Sequence, residues 1–237
     1  MLGVVALAMG ASIAIRRPAP TPFLRGKSVA EKQGCFACHG TGGLSGIPNP
    51  GDEDDIPSWD GGTAMMFLEK DEHIREFIED GHRKGEDGGE GLIKMPAYGK
   101  SLSQKEIQDL IAYVKGVSVF YPEMPESIRS GMETAQKTGC FGCHGPSGRG
   151  GVRNPGSFKG IIPGWDSPEL SDLAKDSSEI AEWIRTGTLR RLEKNFVARF
   201  FLKRQTVKMP AYDTVLTAGQ FPGIGAYISW LQKAGRR

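Results

Sequence analysis

Two seven-residue stretches, "GCFACHG" at 34–40 and "GCFGCHG" at 139–145, hold all four cysteines of the 237-residue chain. Each contains Cys-x-x-Cys-His: Cys35, Cys38 and His39 in the first, Cys140, Cys143 and His144 in the second. That spacing is the attachment signature of c-type haem. Two thiols one helical turn apart can each add to a vinyl group of one porphyrin, and the next residue places an imidazole under the iron as proximal ligand. A redox Cys-x-x-Cys pair does not require His at the next position twice, and zinc would normally join both pairs in one cage. The expectation is two covalently bound haem c groups, each with its iron.

A second repeat supplies what such an iron lacks. "KMPAY" occurs at 94–98 and again at 208–212, downstream of each cysteine pair. It has neither helical nor strand periodicity, and proline after methionine sets an extended loop. A thioether opposite histidine is the usual sixth ligand of an electron-carrying haem and raises its potential. Met95 and Met209 are therefore the axial candidates, in loops stiffened by Pro96 and Pro210. An isolated methionine reads better as core filler. The same pentapeptide beside each haem motif favours ligation instead.

The duplication extends further. "NPG" recurs at Asn49 and Asn154, "IPSWD" (56–60) answers "IPGWD" (162–166), and "HIREFIEDG" (73–81) answers "EIAEWIRTG" (179–187). "LSQKEIQDLIAYVKGV" (102–117) answers "LTAGQFPGIGAYISWL" (216–231), and the second copy carries an insertion before its methionine. Two copies are too few for a stacked array, so the reading is two tandem domains. Glycine and proline make up about a fifth of the chain, so much of the fold is loop. Small loop-rich domains need a cofactor, metal or disulfide to complete their centre.

One helical plan serves both copies. Ser28 with Glu31, and Ser130 with Glu133, resemble capping boxes that open a first helix running into each haem motif. Ile74, Phe77 and Ile78 space a middle helix closed by Gly81, and Ile180, Trp183 and Ile184 repeat it before Gly187. Ser103 with Glu106, and Thr217 with Gln220, cap the last helices. Ile107, Leu110, Ile111 and Val114 form the apolar face of the first copy's last helix, while Pro222 suggests a less regular start in the second. No alternating strand is expected.

On these motifs each half resembles a class I cytochrome c, and together they resemble the tandem diheme cytochromes c. The resemblance implies an all-α fold: an N-terminal segment at 1–22, a first domain at 23–118, a linker at 119–125 and a second domain at 126–237. It further implies ligand pairs His39 with Met95 and His144 with Met209, and Tyr113 and Tyr227 near the crossing of first and last helices. It leaves two roles for Trp59 and Trp165: a place by the haem propionates, where an indole N–H can donate, or ordinary core tryptophans. The implied role is electron transfer as a subunit of a membrane electron-transport complex, such as a quinol-oxidising one, with redox proteins as partners. The competing reading is a diheme enzyme of the peroxidase or thiosulfate dehydrogenase type. Those need an open or unusual ligand at the working haem, and here both haems have a methionine candidate.

The remaining features concern location and partners. "MLGVVALAMGASIAI" is apolar for fifteen residues, about 22 Å as a helix and short of a bilayer's roughly 30 Å hydrocarbon core. It reads as a signal peptide or an uncleaved anchor, which places the domains on the periplasmic face of the membrane. Residues 23–118 carry a net charge of −6 and residues 119–237 a net +6, so charged partners can orient the molecule. With a small overall charge and no nucleic-acid fold, nucleic acid is not an expected partner. His73 and His82, present in the first copy only, read as surface residues, and "GDEDD" (51–55) reads as a solvated loop. The insertion at 188–208 is basic and rich in large apolar residues. Two readings stand for it: packing on its own domain, or an amphipathic element docked on a partner or an anionic membrane.

Overall fold

Thr21 and Pro22 decide where the first described helix begins. The computed structural model describes residues 20–60, 68–86 and 88–234; the apolar run expected to be a leader or anchor, at 1–15, lies outside them. Helix α1 spans Pro22–Gln33, with proline in its first turn and the Thr21 side chain accepting from the Leu24 N–H. Ser28 therefore sits inside the helix, and the expected capping box with Glu31 does not form. The second copy behaves alike: α5 spans Glu126–Lys137 behind Pro125, and Ser130 bonds back to the Ser127 carbonyl. Proline at or just inside the helix start fixes φ and fits where no amide partner is needed.

The chain divides into two compact units, Pro20–Met124 and a second that takes in everything from Pro125 onward. In the first unit the haem motif does not end α1, as expected, but follows it. Gly34, in the left-handed conformation, closes α1 by donating to the Ala30 and Glu31 carbonyls. The motif then makes its own short helix α2, Phe36–His39. Helix α3 is Asp71–Asp80, closed by Gly81, and α4 is Gln104–Ser118, opened by the reciprocal Ser103–Glu106 capping box. Both match the sequence reading.

The second unit repeats this order. After α5 come α6 (Cys140–His144), α7 (Pro168–Leu173) and α8 (Ser177–Thr186), then α9 (Arg190–Lys194) and α10 (Phe196–Arg204) in the insertion, and finally α11 (Gln220–Ala234). The Thr217 N–H and hydroxyl both donate to the Gln220 side chain, yet α11 starts only at Gln220. Pro222 falls in its first turn, where a missing N–H costs no helical bond. The described residues are predominantly helical. A short antiparallel pair, β1 (Val152–Arg153) with β2 (Ile161–Ile162), departs from the expectation of no strand, and Ile47 bridges Ile56 in the first unit. Two residues are too few to show an alternating period.

Each unit is held by the crossing of its first and last helices. Ile107, Leu110, Ile111 and Val114 are buried on α4, with Phe23 of α1 against Tyr113 at 4.9 Å between ring centroids. The helices meet at Gly26, where an added Cβ would run into the backbone carbonyl of Asp109; Gly131 meets the carbonyl of Gly223 in the same way. Beside the first crossing, Arg25 makes a two-pronged pair with Asp109, 2.6 and 2.8 Å. Gly26→Ala is expected to force the helices apart and cost about 1–3 kcal/mol. Ser28→Ala, on the exposed side of the same helix, is expected to change stability by less than about 0.5 kcal/mol. Denaturant midpoints of the two holoprotein variants check both.

Candidate haem sites

The Cys-x-x-Cys-His turn gathers its three side chains because it is helical. The Cys38 and His39 amides bond back to Cys35, and α6 repeats the turn at Cys140–His144. None of the four cysteines is in a disulfide. Burial raises the pKa of Cys35 and Cys140. After each histidine the chain must turn at once. Gly40 (φ 72°, ψ 171°) and Gly145 (φ 76°, ψ 172°) occupy a region essentially reserved for glycine.

The imidazoles are oriented by the backbone. His39 Nδ1–H donates to the Pro57 carbonyl at 2.8 Å, and His144 Nδ1–H to the Pro163 carbonyl at 3.4 Å. That fixes the tautomer and leaves Nε2 with a free lone pair, the state a metal requires. Burial lowers the pKa of His39 and pushes that of His144 down to about 4, each opposed by its carbonyl partner. Trp59 lies against the His39 ring at 4.8 Å, and Trp165 against His144 at 4.9 Å. Each tryptophan also meets a phenylalanine and a tyrosine edge-on: Phe36 and Tyr113, or Phe141 and Tyr227. The tyrosine hydroxyls donate to Gly42 at 3.0 Å and Ser147 at 2.9 Å in the turn after each motif.

In the second unit Cys140, Cys143, His144, Trp165 and Met209 line one cavity of about 770 Å³. In the first unit Met95 packs against the same apolar cluster as Cys35, Phe36 and Trp59. The "KMPAY" segment forms neither helix nor strand in either unit, and the structure shows what holds it. The Tyr98 amide donates to Ile78 and the Tyr212 amide to Ile184, tying each loop to the middle helix. The hydroxyls reach back to Gln33 (3.5 Å) and Thr138 (3.4 Å), just ahead of the cysteines.

Residues 22–114 match the family model described as cytochrome C oxidase, cbb3-type, subunit III. The cbb3-type cytochrome c oxidase subunit FixP of Azorhizobium caulinodans is 34% identical over 124 residues, 52% of this chain and 38% of that protein. FixP of Rhizobium meliloti is 31% identical over 123 residues, 51% of this chain and 38% of that protein. The chain thus spans well under half the length of these relatives. Over these stretches it is similar to subunits of cbb3-type cytochrome c oxidases. Cytochrome c4 of Azotobacter vinelandii is 26% identical over 160 residues, 64% of this chain and 70% of that protein, an alignment longer than either unit.

Homology to c-type cytochromes supports haem c as the cofactor, and the second-unit cavity fits it. Its volume is in the range of sites that bury a large flat ligand, and its lining combines apolar side chains with the two thiols, the imidazole and the thioether. Residues the sequence reading left without a role complete the site. Asn154 exchanges two hydrogen bonds with the Val207 backbone, both 2.9 Å, and Asn49 does the same with Ile93 at 2.9 and 3.3 Å. Each asparagine clamps the chain two residues before a candidate methionine; the recurring "NPG" was the signal.

Arg149 and Asp166 form a buried pair at 3.2 Å beside Trp165. Burial raises the Asp166 carboxyl, opposed chiefly by Arg149. In the first copy the position of Arg149 is taken by exposed Leu44. His73 departs from the expectation of a surface residue: it is buried, its Nδ1 accepting from the Glu69 amide at 3.3 Å. This ring serves the first turn of α3. His82 is exposed, as are all of residues 51–55.

Proposed function

We propose that the chain is a diheme electron carrier, with haem one attached to Cys35 and Cys38 and held by His39 and Met95, and haem two attached to Cys140 and Cys143 and held by His144 and Met209. The observation that carries this reading is the doubled arrangement: a helical Cys-x-x-Cys-His turn, an Nδ1-anchored imidazole and a tethered methionine loop, once in each unit. Haem c supplies a one-electron ferric/ferrous couple. The protein's own part is to present a neutral Nε2 on one side and a thioether on the other, and to exclude water with an apolar pocket. Trp59 and Trp165 are proposed to donate their indole N–H groups to the propionates.

The relatives support a setting. Their oxidase names favour work beside a terminal oxidase over a quinol-oxidising complex, with redox subunits as partners and the periplasmic face of the membrane as location. The apolar run at 1–15 is the proposed membrane attachment, and no described helix is long and apolar enough to cross a bilayer. The test is a mass measurement on denatured protein together with a potentiometric titration. Two covalent haems, no free thiol and two one-electron steps are expected. A bare-chain mass removes the proposal, and rapid peroxide turnover replaces the carrier with an enzyme.

A further inference from the structure

The insertion at 188–208 is a built platform with two different faces. It is pinned at its start by Arg191, which forks onto Glu179 at 2.7 and 2.9 Å and donates to the Leu173 carbonyl at 2.7 Å. This pair holds the Glu179 carboxyl down to about 2, far below its ordinary range. At its end the Thr206 amide bonds to Pro155 and Val207 sits in the Asn154 clamp. Between them the Asn195 side chain caps α10 by accepting from the Ala198 amide at 3.0 Å.

One side of α10 belongs to the haem-two cavity. Phe201 and Leu202 line it, and Phe201 meets Phe158 edge-on at 5.0 Å. The opposite side carries Phe196, 76% exposed, and Phe200, 50% exposed, while Val197 also lines the cavity. Arg199, Lys203 and Arg204 surround them, Arg204 standing over the Phe200 ring at 5.2 Å. No acidic residue lies on α10, and Glu193 is the one acid between 188 and 208.

We infer that this outer face of α10 is the docking site of a one-electron redox protein whose own contact surface is acidic. The inference rests on the reading of the second unit as a haem site. An exposed aromatic centre ringed by cations has the composition of a protein interface, where aromatics and arginine dominate and charges steer the encounter. Charge complementarity names the partner's chemistry: the half of the chain bearing this face is +6, and the face itself offers cations without anions. Position favours a redox protein over a lipid surface. The helix that presents Phe196 and Phe200 also walls the cavity holding Cys140, Cys143, His144 and Met209, so a partner seated there is one helix away from the haem site. Two outward apolar side chains on a helix of nine residues are also a short stripe for an interfacial anchor. With haem held by Cys140, Cys143, His144 and Met209, the site would take one electron from the partner's centre, with no bond or proton moving.

The experiment uses the holoprotein and reduced plant-type [2Fe–2S] ferredoxin, a small acidic one-electron donor, in stopped flow. The second-order rate is expected to fall about tenfold or more as salt rises from about 20 to about 300 mM. The double variant Arg199→Glu, Lys203→Glu is expected to be at least about tenfold slower at low salt and nearly insensitive to salt, with its haem spectrum unaltered. Phe196→Ala, Phe200→Ala is expected to slow the reaction while keeping the salt slope. Wild-type rates and slopes in the charge-reversed variant overturn the inference. So does tight binding to phosphatidylglycerol vesicles that is lost in the phenylalanine variant, which makes the face a membrane contact. The mass measurement separates the two proposals: two haems with an unaltered ferredoxin rate remove only the docking site, whereas a missing second haem removes the site beneath it.

Discussion

Cys140→Ala, Cys143→Ala is expected to leave a protein with a single covalent haem and a second unit that no longer folds cooperatively. In the proposed arrangement the thiols are the covalent hold on the group that would occupy the cavity of about 770 Å³. Without that group its largely apolar lining is left facing water, in a domain whose total stability is only roughly 5–15 kcal/mol. The buried His144 adds to the loss, since a free imidazole kept neutral by burial forgoes protonation as the pH falls below about 6.5. Mass spectrometry is expected to show the loss of one haem, and near-ultraviolet circular dichroism the loss of packing signals from Trp165, Trp183 and Trp230. A double variant that keeps both haem masses contradicts the attachment assignment outright.

Met95→Ala and Met209→Ala are expected to act differently, sparing attachment and shifting redox behaviour. On the proposed ligation each would take one thioether from its iron and abolish one of two thioether-to-iron absorption signals. The affected haem's potential should fall by on the order of 100 mV, within the roughly 0.8 V that axial ligands span. The loops are expected to survive the change. Tyr98 and Tyr212 still bind the middle helices through their amides, and Asn49 and Asn154 still hold the preceding residues. Spectroelectrochemistry of the two variants assigns each potential to its unit, and survival of both thioether signals in the double variant rejects the ligand pairs.

Much of this was legible because the chain states it twice. The haem turns, the methionine loops and the middle helices closed by Gly81 and Gly187 are local patterns whose meaning does not depend on distant residues. The misread positions show where local patterns stop deciding. Ser28 with Glu31 fits a capping box and equally fits two neighbours on a helix face, and only Pro22 with Thr21 separates the cases. Gly26 and Gly131 carry no local signal at all, because their requirement comes from a carbonyl on another helix. Arg149 is hidden for a related reason: its partner Asp166 lies in the repeated "IPGWD", while the first copy has Leu44 in its place. Of the insertion's two readings, packing on its own domain holds for Phe201, which lines the cavity, while Phe196 and Phe200 are exposed and docking there is a proposal.

The glycines that flank the haem turns change what should count as the signature. Gly34 and Gly139 have open space where a Cβ would sit, so asparagine is a feasible substitute at that end of the word. Gly40 and Gly145 have no such latitude: their backbone angles are glycine's own, and a Cβ at Gly40 would meet Ser45 while one at Gly145 would meet Gly150. The last letter is therefore set by the path of the chain rather than by the porphyrin. A genome scan for domains of this architecture gains discrimination by reading C-x-x-C-H-G, and a chain that spells the first five letters and then a bulky residue must lead away from its histidine along some other course.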